Sequence, residues 1–281
     1  MVAALRTVGA LDDARGLGVH DHACWGFDDI GEFTSRAVEF LLDGLDLGQQ
    51  VWFFGEGDPE VLAHLAERGG GDGAVHIEPL STAWPVGEVV DPLEQAQARG
   101  RALQDALDAG FAGLRLAADA TPMVETPAQL DAWVRFESIA EWFMAEPHPF
   151  AALCGYHRRR LGEDAVAQLA CMHPNARDGT APFRLHGIPD PTAAAALSGE
   201  LDLRSRDWFP RALDRAGWTP MPGRTVVDAS HLGFADHASL TQLAEWARSN
   251  DTVVVLRDAR PTLARVVELL RLPGVVTEPV S

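Results

Sequence analysis

Seven side chains in this sequence can hold a soft metal ion or move a proton: His20, His22, Cys24, Cys154, His157, Cys171 and His173. If the strands carrying Cys24 and Cys154 lie side by side, several nitrogen and sulfur donors converge on an ion of zinc's kind. Against that chemistry, the sequence has no C-x-x-C or H-x-x-x-H pair, and cysteines in apolar strands commonly serve as core. The expectation is therefore a structural or pocket-lining role, with no metal and no assigned cofactor. A redox role for the thiols has no motif behind it. His22, Glu137 and His173 sit in otherwise apolar stretches, where a polar group needs a partner. They either satisfy one another or, together with Cys24 and Cys154, line the pocket of a small-molecule ligand. Trp25, Trp84, Trp133 and Trp142 are open to two readings as well, cavity wall or core. Arg158-Arg159-Arg160 is read as a solvated face paired with acids rather than an anion site.

The elements that must position these residues alternate between strand and helix. HDHACWGF (20–27), VWFF (51–54), LRLA (114–117) and FAALCGY (150–156) are apolar runs of strand length, the kind buried on both faces of a parallel sheet. Between them lie helical patterns. One follows Asp28-Asp29 with Phe33, Ala37, Phe40, Leu41 and Leu45 on one face; others open at Asp58-Pro59, Pro92 and Pro127, and a short one spans 162–171. The class is α/β, a three-layer domain on a mostly parallel sheet. The Pro-containing segment IPDPTAA (188–194) is the expected linker, giving domains 1–188 and 193–281. The second is a small α/β unit, with strands at LSGELDL (197–203) and 225–227.

Of 281 residues, 23 are arginine and none is lysine, and the net charge is −18. Such a surface repels phosphate backbones and anionic lipids, so no direct nucleic-acid or membrane partner is expected. Without lysine there is no Walker-type phosphate contact and no Schiff base. GEGDPE (55–60), where a phosphate loop would stand, carries Glu56, Asp58 and Glu60 instead. The expectation is not an enzyme. No apolar run reaches membrane length, the start lacks a signal-peptide core, and the three cysteines form no disulfide pattern; the expected location is cytoplasmic, with reduced thiols.

Two motif sets carry resemblances. H-A-C-W-G-F (22–27), Glu137, L-C-G-Y-H-R-R-R (153–160) and His173-Pro174, in that order, resemble the MEDS domain, a sensory module related to RecA-like ATPases. G-E-L-D-L (199–203), followed by V-V-D-x-S-x-x-x-F-x-D (226–236), is similar to the STAS domain of anti-sigma-factor antagonists. The resemblance implies a RecA-like sensory domain for a small organic molecule, ahead of an output domain that binds a kinase-like anti-sigma factor. The implied contact surface is Asp236, His237, Ser239 and Thr241. Ala238 stands where that family places its phosphorylated serine, so phosphate control is not expected and Asp236 is read as a helix cap. The whole reads as a signalling regulator in transcription. One alternative is an enzyme using the His/Cys/Glu set with the second domain as a docking module; another is a structural scaffold.

Overall fold

The computed structural model describes residues 8–70, 73–145, 148–177, 179–216 and 223–278. The chain folds as two compact units, residues 1–180 and 181–281.

In the first unit the strands are β1 (Gly9–Leu11), β2 (His22–Phe27), β3 (Gln50–Phe54), β4 (Val75–Glu78), β5 (Leu114–Asp119), β6 (Phe150–His157) and β7 (Asn175–Arg177). The helices are α1 (Ile30–Asp46), α2 (Pro59–Arg68), α3 (Pro92–Asp108), α4 (Pro127–Ala145), α5 (Arg158–Leu161) and α6 (Glu163–Ala170). The sheet order is β1-β7-β2-β6-β5-β3-β4, with every pair parallel. Residues 9–11, read from sequence only as part of the chain's start, form an edge strand against β7.

Helix starts follow the side chains that can cap them. Asp29, Asp58 and Asp91 each accept backbone N–H groups of the first turn, and α2 and α3 place Pro59 and Pro92 just inside.

Strand parity sorts the sheet into two faces. Ala23, Trp25, Phe27, Val51, Phe53, Ala117 and Leu153 point to one side, where they pack on Phe33, Ala37, Phe40 and Leu41 of α1 and Leu65 of α2. Each large apolar side chain buried there contributes roughly 1.5–3 kcal/mol. The other face carries His22, Cys24, Cys154 and Tyr156, while buried Arg115 of β5 lies on the α1 side, where it donates to the Phe40 and Leu17 carbonyls. His22 lies opposite Ala152 and Cys24 opposite Cys154, while Leu116 and Ala118 of β5 flank the same two β6 residues. Helix α4 covers this face.

The second unit contains β8 (Phe183–His186), β9 (Ala195–Leu201), α7 (Phe209–Arg215), β10 (Thr225–Asp228), β11 (Leu232–Ala235), α8 (His237–Ser249), β12 (Val254–Arg257), α9 (Pro261–Leu270) and β13 (Val275–Glu278). Strand β9 pairs parallel with β10 and β11 and antiparallel with β8; β10, β12 and β13 continue the sheet in parallel. Thus 183–186, placed by the sequence reading ahead of the linker, belong to the second sheet. Gly199 is fixed by geometry: its φ is +87° and a Cβ there would lie 2.5 Å from the Pro182 carbonyl oxygen. Among the described residues, no helix is long and apolar enough to cross a membrane.

Candidate functional site

One cluster of buried side chains in the first unit forms between α4 and the sheet. β2 supplies His22, β6 supplies Cys154 and Tyr156, the segment before β7 supplies His173, and α4 supplies Trp133, Glu137 and Glu141. All seven are buried. Residues 133, 137 and 141 are one helical turn apart, so a single stripe of α4 presents them.

Glu137 is the hub. Its Oε1 accepts the Trp133 indole N–H at 2.9 Å and the Tyr156 hydroxyl. Its Oε2 lies 3.2 Å from His22 Nε2, 3.6 Å from His173 Nε2 and 3.7 Å from Cys154 Sγ. The other His22 nitrogen, Nδ1, is 3.1 Å from Glu141 Oε2, and His173 Nδ1 is 2.9 Å from the Leu169 carbonyl. His22 Nε2 and Cys154 Sγ are 3.6 Å apart. Nε2 of both imidazoles, Glu137 Oε2 and Cys154 Sγ form a set whose atoms all lie within 4.8 Å of one another.

Charge follows from these contacts. Burial alone would push the Glu137 carboxyl up, but His173, His22 and Tyr156 outweigh it and hold it down at about 2. Burial opposes charge on His22, yet the hydrogen bonds and fields of Glu137 and Glu141 raise it above its ordinary value. Burial, then the neighbouring His22, lowers His173 to about 4. Burial and the Glu137 charge push the Cys154 thiol and the Tyr156 phenol well up.

A cavity of about 20 Å³ adjoins the cluster, room for roughly one water. His22, Glu137 and Cys154 border it, but its surface is apolar: Trp84, Trp133 and Phe136 form an aromatic wall, and Ala118, Ala140 and Ala152 leave the space that larger side chains would fill. Arg99 of α3 also lines it, 8% exposed, its guanidinium 4.5 Å over the Trp84 ring. Arg99 Nε and Nη1 have no hydrogen-bond partner among the described residues. Burial, then Arg101, lowers its pKa to about 10.

Of the residues singled out from sequence, His22, Glu137, Cys154 and His173 converge. Cys24 is buried and in register with Cys154 but stands outside the four-atom set. So do His20, whose Nδ1 meets the His148 carbonyl, His157, and Cys171 at the end of α6. Glu141, Tyr156 and Arg99 escaped sequence reasoning. The i, i+4 spacing of Glu137 and Glu141 inside an apolar helix, and the single tyrosine of the chain, were the available signals.

The crevice at the carboxyl ends of β3, β4 and β5, about 300 Å³, is lined by Glu56, Asp119 and Arg160 among others. Doubly wound sheets bind ligands at this end. Here the N-terminal N–H groups of α2 already meet Asp58. The arginine run pairs with acids as expected: Arg158 with Asp28 at 3.3 Å, Arg159 with Asp28 at 3.7 Å, and Arg160 with Glu125.

In the second unit, Asp236 caps α8 by accepting the Ser239 N–H at 2.7 Å. His237 is exposed, and the Thr241 hydroxyl donates to the His237 carbonyl at 2.8 Å. Ser239 is different. Its side chain is buried, 1% exposed, so it adds no hydroxyl to the surface expected there. Phe234, at the end of β11, and Leu203, just past β9, are 50% and 72% exposed.

Comparison with known families agrees with this architecture. Residues 187–277 match the Mlab, STAS domain. Residues 21–174 match MEDS, the MEthanogen/methylotroph, DcmR Sensory domain. A comparison with curated proteins finds no match. The first match covers more than half of the chain and contains every residue of the four-atom set, so the chain belongs to the MEDS family, with a STAS domain following.

Proposed function

We propose that this chain is a cytoplasmic signalling regulator whose first unit senses a very small organic molecule and whose STAS domain passes that state to a kinase-like anti-sigma factor. The observation that carries the reading is the cavity bordered by the His22, Glu137 and Cys154 side chains within a sensory domain. Its aromatic wall suits a compact apolar body, and because the space at rest holds roughly one water, such a molecule enters only by moving the walls apart, which is the change of state a sensor needs. At the output end, Asp236, His237 and Thr241, with exposed Phe234 and Leu203, make a mixed surface fit for a protein partner. The reading gives Cys154 no nucleophilic role, since burial and the Glu137 charge push its thiol up and disfavour the free thiolate. A ligand controls the partner only through unequal affinity for two states of the chain.

The test uses the full chain and a cavity-filling variant, Ala118→Val. The smallest alcohols, ketones and carboxylic acids are screened for a rise in melting temperature, and affinity for a kinase-like anti-sigma factor of the same host is measured with each hit. A compound that stabilises the wild type but not the variant, and changes partner affinity, supports the reading. Partner affinity that ignores every stabilising compound sinks it.

A further inference from the structure

We propose that Nε2 of His22, Nε2 of His173, Oε2 of Glu137 and Sγ of Cys154 coordinate one divalent d-block ion, zinc by preference. The inference stands apart from the sensing reading, since the ion would be held whether or not a small molecule binds beside it.

Four of the six donor–donor distances are close to those of a tetrahedron, and the remaining two, from His173 Nε2 to His22 Nε2 and to Cys154 Sγ, lie within 4.8 Å. Bonds of about 2.0–2.1 Å to nitrogen and oxygen and about 2.3 Å to sulfur put N/O pairs about 3.3 Å apart and pairs with sulfur about 3.6 Å apart. Here His22 Nε2 is 3.2 Å from Glu137 Oε2, Cys154 Sγ is 3.6 Å from His22 Nε2 and 3.7 Å from Glu137 Oε2, and His173 Nε2 is 3.6 Å from Glu137 Oε2.

The surroundings orient the donors in the way metal ligands are oriented. His22 Nδ1 faces the Glu141 carboxylate and His173 Nδ1 faces the Leu169 carbonyl, which leaves each Nε2 lone pair aimed inward. Trp133 and Tyr156 take up Glu137 Oε1 and leave Oε2 for the centre. A purely structural hydrogen-bond network explains less. A His22 cation between Glu137 and Glu141 satisfies those three groups, but His173 Nε2, fully buried, still has no hydrogen-bond partner among the described residues. An ion satisfies it. Two imidazoles, a carboxylate and a thiolate suit zinc, whereas magnesium and calcium take oxygen ligands. On binding, the Cys154 thiol and His22 Nε2 give up their protons to the solvent.

The test is metal content of the full chain, expressed without a metal-affinity tag in zinc-supplemented medium and measured by mass spectrometry. About one zinc per chain is expected. Cys154→Ala and His173→Ala should lose most of it, while Cys24→Ser and Cys171→Ser keep it. If the ligand variants fail to fold, the wild type refolded with cobalt(II) decides. Tetrahedral ligand-field bands with one thiolate-to-cobalt charge-transfer band support the site. A folded wild type that holds no divalent ion after refolding with zinc or cobalt overturns it, as does full metal retention in both ligand variants.

Discussion

Glu137→Gln removes the negative charge at the hub while keeping its shape, and its cost can be worked out from its contacts. The carboxylate makes three close contacts, with Trp133, Tyr156 and His22. Hydrogen bonds to a charged group exceed neutral ones by about 1 kcal/mol each, which gives about 3 kcal/mol. The same contacts hold its pKa at about 2 against an ordinary 4.5, and at about 1.4 kcal/mol per unit that depression corresponds to a like figure of about 3 kcal/mol. For a unit of this size that lowers the melting temperature by about 10 °C. Calorimetry suits the question, because two folded units need not melt as one. With protein refolded in chelator, only the first unit's transition should move. The sign with pH is fixed too. A depressed carboxyl pKa stabilises the fold fully above about 4.5, and the benefit fades as pH falls towards about 2, so wild type and variant should converge in acid. A shift below about 2 °C, or a gap that persists unchanged in acid, would refute the view of Glu137 as a paired buried charge.

Tyr156 is the single tyrosine, and burial with the Glu137 charge pushes its phenol well up. Ultraviolet difference absorbance should register no phenolate until the first unit unfolds in alkali; ionisation in the folded state would contradict the buried contact. Gly155→Ala would place a Cβ 2.4 Å from the Phe33 ring on the core face of β6, so urea denaturation should report a loss of about 1–3 kcal/mol. Asp190→Asn removes a carboxylate that Thr192 first, then Arg257, hold at about 2. Because that pair is partly solvated, its loss should cost the second unit under about 1 kcal/mol. The effect should be present above about pH 4 and vanish as pH falls towards about 2, by comparison of wild-type and variant melting.

The parallel sheet of the first unit was legible because its strands are continuous apolar runs and its early helices begin at Asp-Asp or Asp-Pro pairs. The short edge strands β1 and β8 were not: three or four residues carry too little pattern to stand out. The site was half legible. A histidine or glutamate in an apolar stretch declares that it needs a partner, so His22, Glu137 and His173 could be named. Choosing Cys154 over Cys24 requires the strand register and the crossing of α4, which one sequence does not contain. Arg99 reads as an ordinary helical arginine until Trp84 is found stacked beneath it.

The four donors come from the start of β2, the middle of α4, the middle of β6 and the turn before β7. No stretch of chain shorter than nearly the whole first unit contains them all. During synthesis the four donors therefore cannot meet until the segment before β7 has left the ribosome and docked, and until then the one thiol and two imidazoles stay apart. Closing so distant a set of contacts comes late in folding. Once made, a bound ion would act as a latch on a finished domain, slowing its unfolding rather than guiding its folding.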